Sequence, residues 1–367
     1  MTEDQVPQLH IHEPGEVAQL VPHLIGFQPD ESLVIVVLQR GRIEVTARAD
    51  IADVQQPGRA EELLDRIWNR YPDADAYLMA YTHDQVAGWD LLQRCEDHLP
   101  PFADRQTMLV GAETWHTGDG RSGVVDRLGR VAAEAAFHGL SVLERRSDLQ
   151  AQFTSAENTA ELRAVADQAL AALPEPLDHA AVVETVRALI ERNLTDPSQP
   201  SPAGAGMSQL DAMQLSALVA TTPGRQVALL SMTRTNAEQH LQLWRTVINQ
   251  TAAEVSQTPL HLAGMAAWIT GDGATADIAL ERAEAVPRPG TRPFVLLDAL
   301  IDHVVPPYKW TELREDILSQ TDPAIRQAVG ERSFPVDSPW ETVQPPTSRP
   351  SPYQGKPLNP PAPGIAI

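Results

Sequence analysis

Lysine is almost missing from this chain: Lys309 and Lys356 are the only two in 367 residues. A phosphate-binding loop of the Gly-Lys-Ser/Thr kind is thereby excluded, since no such tripeptide places an ammonium against a terminal phosphate. Schiff-base chemistry is disfavoured too. Lys309 follows Pro306-Pro307 and Lys356 sits in a proline-dense tail, neither a setting for a buried lysine that loses its proton easily. Cys95 stands alone, which removes intrachain disulfides and every Cys-x-x-Cys redox or zinc pattern. It falls inside an expected helix beside Glu96 and Asp97, acids that raise a thiol pKa and so oppose a nucleophilic role. Neither a Gly-x-Ser-x-Gly elbow nor a His-Glu-x-x-His helix occurs. The apolar stretches at 33–38 and 295–305 are too short or carry charge, so no membrane span is expected. The opening Met1-Thr2-Glu3-Asp4 shows no secretory pattern, and the expected compartment is reducing and cytoplasmic.

Positive charge is also short. Lys and Arg number 28 against 49 Asp and Glu, a formal net charge of -21, with the carboxylates scattered along the chain. Such a surface repels phosphate backbones, which disfavours general nucleic-acid binding. It favours solubility or a basic partner, and a local arginine cluster could still read a phosphate.

What the chain does have is packing signal. At 43% hydrophobic residues it is long enough for two domains and a tail. The unbroken run Leu33 to Leu38 reads as a strand buried on both faces, and Ile43 to Ala49 as a half-exposed partner in a hairpin. Helices at 57–71, 86–99 and 124–137 alternate with strands at 76–81 and 107–111. An α/β domain over 1–148 follows, with a mixed sheet in which the second, third and fourth strands run parallel through right-handed crossovers. Connecting helices fill 149–195, and a Pro/Gly-rich linker fills 196–208. An all-α helical-hairpin domain is expected at 209–334. Its clearest sign is the turn Gly271-Asp272-Gly273 between Ala-rich runs, where Asp272 would cap the following helix. Proline density over 335–367 excludes helix and central strand; the alternatives there are a solvated tail or a polyproline ligand around Pro346 to Pro352.

Two stretches resemble a known family. Pro14-Gly15-Glu16-Val17 with Pro22-His23-Leu24-Ile25-Gly26-Phe27-Gln28-Pro29-Asp30-Glu31-Ser32-Leu33-Val34 is similar to the opening of an actinobacterial family, domain of unknown function 4192. Ala266-Ala267-Trp268-Ile269-Thr270-Gly271-Asp272-Gly273-Ala274, then Ala279-Leu280-Glu281-Arg282-Ala283, resembles its C-terminal signature. The resemblance spans about Pro14 to Trp310 and implies a bacterial or phage source but no substrate. Relatives often carry cysteines near Trp115 to Gly120, where this chain has none, and Arg-Asp where it has Arg225-Gln226. Both departures argue against indispensable metal or acid chemistry at those points.

Three constellations bear on chemistry. In a sheet of this kind ligands gather at the carboxyl ends of the parallel strands. Asp50, His83, Asp84, Glu113 and His116 stand there: Asp50, Asp84 and Glu113 could hold a divalent cation while a histidine moves a proton during hydrolysis. Asp84 is equally a helix N-cap. The loop Gly118 to Gly123 could present Arg121 and Ser122 to an anion at a helix start, or be a plain turn. His10 and His12 share one face of an extended segment, a two-ligand spacing without a third ligand, and fit an exposed edge strand as well. No other cofactor is evident. Two functions follow: a non-enzymatic module, its helical hairpins offering a surface to a protein partner, or a metal-dependent hydrolase or nucleotide-handling enzyme at the sheet edge.

Overall fold

The computed structural model describes residues 11–40, 42–99, 105–137, 140, 142–194, 206–286 and 295–330. The expected linker lies almost wholly outside these residues, and the proline-rich tail and His10 lie wholly outside them. The fold is mixed α/β, with a six-stranded sheet in the first part and helices after it. Helix α1 spans Pro14–Ile25. Strands β1 (Ser32–Gln39) and β2 (Arg42–Asp50) form the expected hairpin. A short α2 (Ile51–Val54) and α3 (Arg59–Arg70) lead to β3 (Asp75–Tyr81), and α4 (Gln85–His98) leads to β4 (Arg105–Val110). Then come β5 (Thr114–Thr117), β6 (Ser122–Val124), α5 (Arg130–Phe137) and α6 (Arg146–Ala151).

Strand order is β2-β1-β3-β4-β5-β6. β1 lies antiparallel between β2 and β3, while β3 and β4 pair in parallel. β2, β3 and β4 therefore share one direction although β2 never touches β3. Ser32 pairs with both Asp50 and Tyr81, and Tyr81 pairs with Val110. The carboxyl ends of all three strands thus fall on one edge.

Period-2 alternation splits the sheet between two cores. Leu33, Ile35, Val37 and Leu78 pack on Leu64 and Ile67 of α3 and Leu91 and Leu92 of α4. Val34, Val36, Met79, Tyr81, Met108 and Val110 face the other way, onto α1 and α5, in an apolar cluster that continues through the helical part to Ile325. That double burial explains the unbroken β1 run, every residue of which from Ser32 to Leu38 is buried.

Two local expectations change. Residues 122–124 form a strand, not the start of a helix, and α5 begins only at Arg130. The Gly118–Gly123 loop closes a β-hairpin because Gly120 takes a φ of +87° and Thr114 pairs with Val124. His12 lies in no strand; its backbone N–H donates to the Glu16 carboxylate at the start of α1.

The helical part comprises α7 (Ala160–Ala171), α8 (His179–Asn193), α9 (Gln209–Val219), α10 (Thr222–Leu230), α11 (Ala237–Gln250), α12 (Gln257–Thr270), α13 (Gly273–Glu284), α14 (Val295–Asp302), α15 (Trp310–Ser319) and α16 (Pro323–Gly330). Gly271 ends α12 at φ +92°, and the Asp272 carboxylate accepts from the Thr275 N–H at 3.0 Å, capping α13. At Gly264 a Cβ would come within 2.6 Å of the Leu297 side chain and 3.3 Å of the Ala276 carbonyl oxygen, which sets how closely α12, α13 and α14 approach. None of the described helices is long and apolar enough to cross a membrane.

His240 on α11 is fully buried, and neither ring nitrogen makes a regular hydrogen bond among the described residues. Burial, slightly offset by the nearby Ser231 backbone, pushes its pKa from 6.5 down to about 3. The folded state therefore holds the neutral ring. Below pH 6.5 the unfolded chain binds a proton that the folded one refuses, so stability falls as pH drops towards 3, by up to about 1.4 kcal/mol per pH unit from this group. Denaturant melts of the wild type and His240→Leu between pH 7 and 4 should show a steeper decline in the wild type; equal slopes would contradict the assignment. Gly264→Val should cost about 1–3 kcal/mol by overpacking the helical layer, read from the same melts at pH 7.

Candidate functional site

At the edge where β2, β3 and β4 end, a cleft of about 530 Å³ opens between α1, the loop after it, the strand ends and residues 125–127 and 144–147. Gly26, at φ +76°, ends α1 and turns the chain into this loop. The loop is tied to the later segment by two backbone hydrogen bonds, Gln28 N–H to the Leu143 carbonyl at 3.0 Å and Leu143 N–H to the Gly26 carbonyl at 2.8 Å. Segments more than a hundred residues apart thereby become two walls of one opening.

Four arginines line it, an unusual density for so acidic a chain: Arg48, Arg127, Arg145 and Arg146. They divide into two pairs. Arg48 donates from Nε to Ser32 Oγ at 3.0 Å, pairs with Asp50 and lies 5.8 Å above the Phe27 ring centroid. Arg146 reaches Glu281 at 2.6 Å and Asp277 at 3.5 Å, both on α13. Burial raises the Asp277 pKa, Glu281 adds to the shift, and Arg146 opposes it. Arg127 and Arg145 are exposed and make no ion pair with a described carboxylate. His23 also lines the cleft; its Nδ1 lies 2.7 Å from the Leu140 carbonyl, which can only accept, so Nδ1 carries the hydrogen and Nε2 is the available nitrogen. Asp30 and Glu144 supply exposed carboxylates.

The residues singled out in the sequence are dispersed around this edge. Asp50 is engaged by Arg48. Asp84 caps α4, accepting from the Ala87 N–H at 3.0 Å. Glu113 lies exposed in the β4–β5 turn, its carbonyl accepting from the Val125 N–H, and His116 is half-buried in β5. Among the described residues, the set close enough to share a cation is Asp30, Glu31 and His83, with ligand atoms within 4.8 Å of one another; Asp50, Asp84 and Glu113 are not brought together. All three of the clustered residues are exposed. The Glu31 carboxylate is already used as a loop brace, accepting from Thr82 Oγ1 at 2.8 Å and the His83 N–H at 3.1 Å.

Arg121 is occupied by Asp119, whose carboxyl is held down to about 2 by the Arg121 guanidinium and the Thr117 hydroxyl. Ser122 is part of β6. The Gly118–Gly123 turn thus satisfies its own charges. Cys95 is buried, and that burial pushes its thiol up to about 12, with Arg94 opposing the shift and Glu61 adding to it. Arg127 falls in a stretch expected to be helix, and Arg145 and Arg146 lie just before the expected domain boundary at 148, so their spacing marks no site; the doubled Arg145-Arg146 in an acidic chain is the available signal.

The family model of a domain of unknown function (DUF4192) matches residues 14–308. The chain belongs to that family. No curated protein and no solved structure matches it. The Pro22 to Ser32 stretch on which the resemblance was drawn supplies Pro22, His23, Phe27, Gln28, Pro29 and Asp30 to the cleft, and α13 of the second stretch holds Arg146.

Replacing Arg146 with Leu leaves Asp277 and Glu281 facing each other without their cation. Because both carboxylates are about half exposed, the expected cost is about 1–2 kcal/mol after solvent screening. Arg127→Leu, by contrast, should change stability by no more than about 0.5 kcal/mol. Urea midpoints check the contrast; equal effects would count against the division of roles.

Proposed function

We propose that the chain is a small-molecule-binding protein that takes an anionic ligand in the sheet-edge cleft. The observation that carries this reading is the pairing of a concave site at the carboxyl ends of parallel strands with two exposed guanidiniums, Arg127 and Arg145, that have no carboxylate partner among the described residues. Arginine is suited to the task. Its fork donates in parallel to carboxylate or phosphate oxygens and stays charged at any working pH. The cleft combines these rims with the apolar side chains of Ala112, exposed, and Val125, half-buried, the mixture that orients an organic anion rather than a bare ion. A role in handling nucleotides fits this chemistry. The reading of the helical part as a surface for a protein partner draws on its paired-helix architecture alone, whereas the cleft is a specific feature.

A thermal-shift screen of the full chain tests the proposal, because a ligand that binds only the folded form at a hundred times its Kd adds about 2.7 kcal/mol of stability. Organic anions should raise the melting temperature while their neutral analogues do not, and the rise should shrink with added salt. Ala112→Trp, which places a large ring on an exposed lining position, should abolish the shift without lowering the unliganded melting temperature. A set of anions that leaves the melting temperature unmoved would overturn the reading. Divalent metals form a separate arm, with His83→Ala as the control for the Asp30, Glu31 and His83 cluster.

A further inference from the structure

Resting on the anion-cleft reading, we propose that the ligand is a phosphate monoester on a flat, hydroxyl-bearing body, the class of the nucleoside monophosphates, and that Arg127 and Arg145 hold its phosphate. Three features of the cleft narrow the class. The first is size. About 530 Å³ falls within the roughly 300–1,000 Å³ typical of organic-ligand sites and far exceeds what inorganic phosphate or sulfate fills.

The second is the number of free guanidiniums. One arginine fork saturates a carboxylate, which has two oxygens and one charge; two forks, from the two segments that carry Arg127 and Arg145, suit a dianionic group with three oxygens. Arg48 and Arg146 are already committed to Asp50 and to the α13 carboxylates, so they build the walls rather than grip the ligand.

The third is the placement of carboxylates. Asp30 and Glu144 line the same opening. They repel a second and third phosphate, which disfavours di- and triphosphates, but they accept hydrogen bonds from hydroxyl groups such as those of a sugar. The chain agrees with this in what it lacks: no Gly-Lys-Ser/Thr loop is present to grip a polyphosphate. Among the apolar lining residues Ala112 is exposed and Val125 half-buried, and these supply the side against which a planar heterocycle can lie. The inference concerns binding alone and includes no covalent step.

Isothermal titration of the full chain tests it with the four ribonucleoside 5′-monophosphates taken singly, their nucleosides, adenosine 5′-triphosphate, inorganic phosphate and benzoate. At least one monophosphate should bind about tenfold or more tightly than its nucleoside, than inorganic phosphate and than the triphosphate. Arg127→Gln and Arg145→Gln should each weaken it about tenfold or more, and the corresponding Lys variants, which keep the charge but lose the fork, should recover part of the loss. Arg121→Gln, whose guanidinium is occupied by Asp119, should leave the affinity unchanged. Both replaced arginines are exposed, and circular dichroism of the unliganded variants verifies the fold. Benzoate binding as tightly as any monophosphate, and lost in both arginine variants, would keep the anion cleft and overturn the phosphate assignment. Triphosphate binding as tight as monophosphate would overturn the argument from Asp30 and Glu144. Monophosphate binding that survives both substitutions would remove the arginines from the site, and no binding by any anion would overturn the proposed function together with this inference.

Discussion

The contact of Arg146 with Asp277 and Glu281 is the point on which the site depends. Arg146 stands at the start of α6 and lines the cleft, while its two partners lie on α13 in the helical part. A guanidinium with 22% of its side-chain surface exposed needs anions beside it, and α13, packed against the sheet edge, supplies both. α13 in turn is placed by the Gly271 turn, the Asp272 cap and the close approach at Gly264. The geometry of one wall of the cleft is therefore set by a helical hairpin more than a hundred residues away in sequence.

The charge distribution gives that arrangement its chemical sense. A chain with a net charge of -21 repels anions at long range, yet screening confines that repulsion to about 10 Å at ordinary ionic strength. Within that distance the local set decides. Arg48 and Arg146 are neutralised by protein carboxylates, and Arg127 and Arg145 line the cleft exposed and without an ion pair to a described carboxylate. An acidic surface with an arginine-lined recess disfavours nucleic-acid backbones, which need an extended basic face, while leaving room for a compact anion.

Much of the fold was legible because it is local. The β1 run, the alternation of β2, the helical spacing on α3 and α4 and the Gly-Asp-Gly turn each state their structure within a dozen residues, and the common direction of β2, β3 and β4 followed from crossover handedness. The sheet edge was identified correctly as the place where strand ends meet. Of the residues expected on it, Asp50 and Asp84 are engaged locally, by Arg48 and by the start of α4. What was illegible is non-local. The β5–β6 hairpin was read as turn and helix because Ser122 to Val124 is too short to show a period. The cleft itself is made by the Gly26–Leu143 and Gln28–Leu143 backbone bonds and by the α13 ion pairs, none of which leaves a pattern in a single sequence.

The most direct measurement is a crystal structure of the full chain grown with a mixture of the four ribonucleoside 5′-monophosphates. The account predicts electron density for a phosphate between the Arg127 and Arg145 guanidiniums, with the planar base against the Ala112 and Val125 side of the cleft. Density for the nucleotide at any other surface, with the cleft free of it at saturating concentration, would contradict the account.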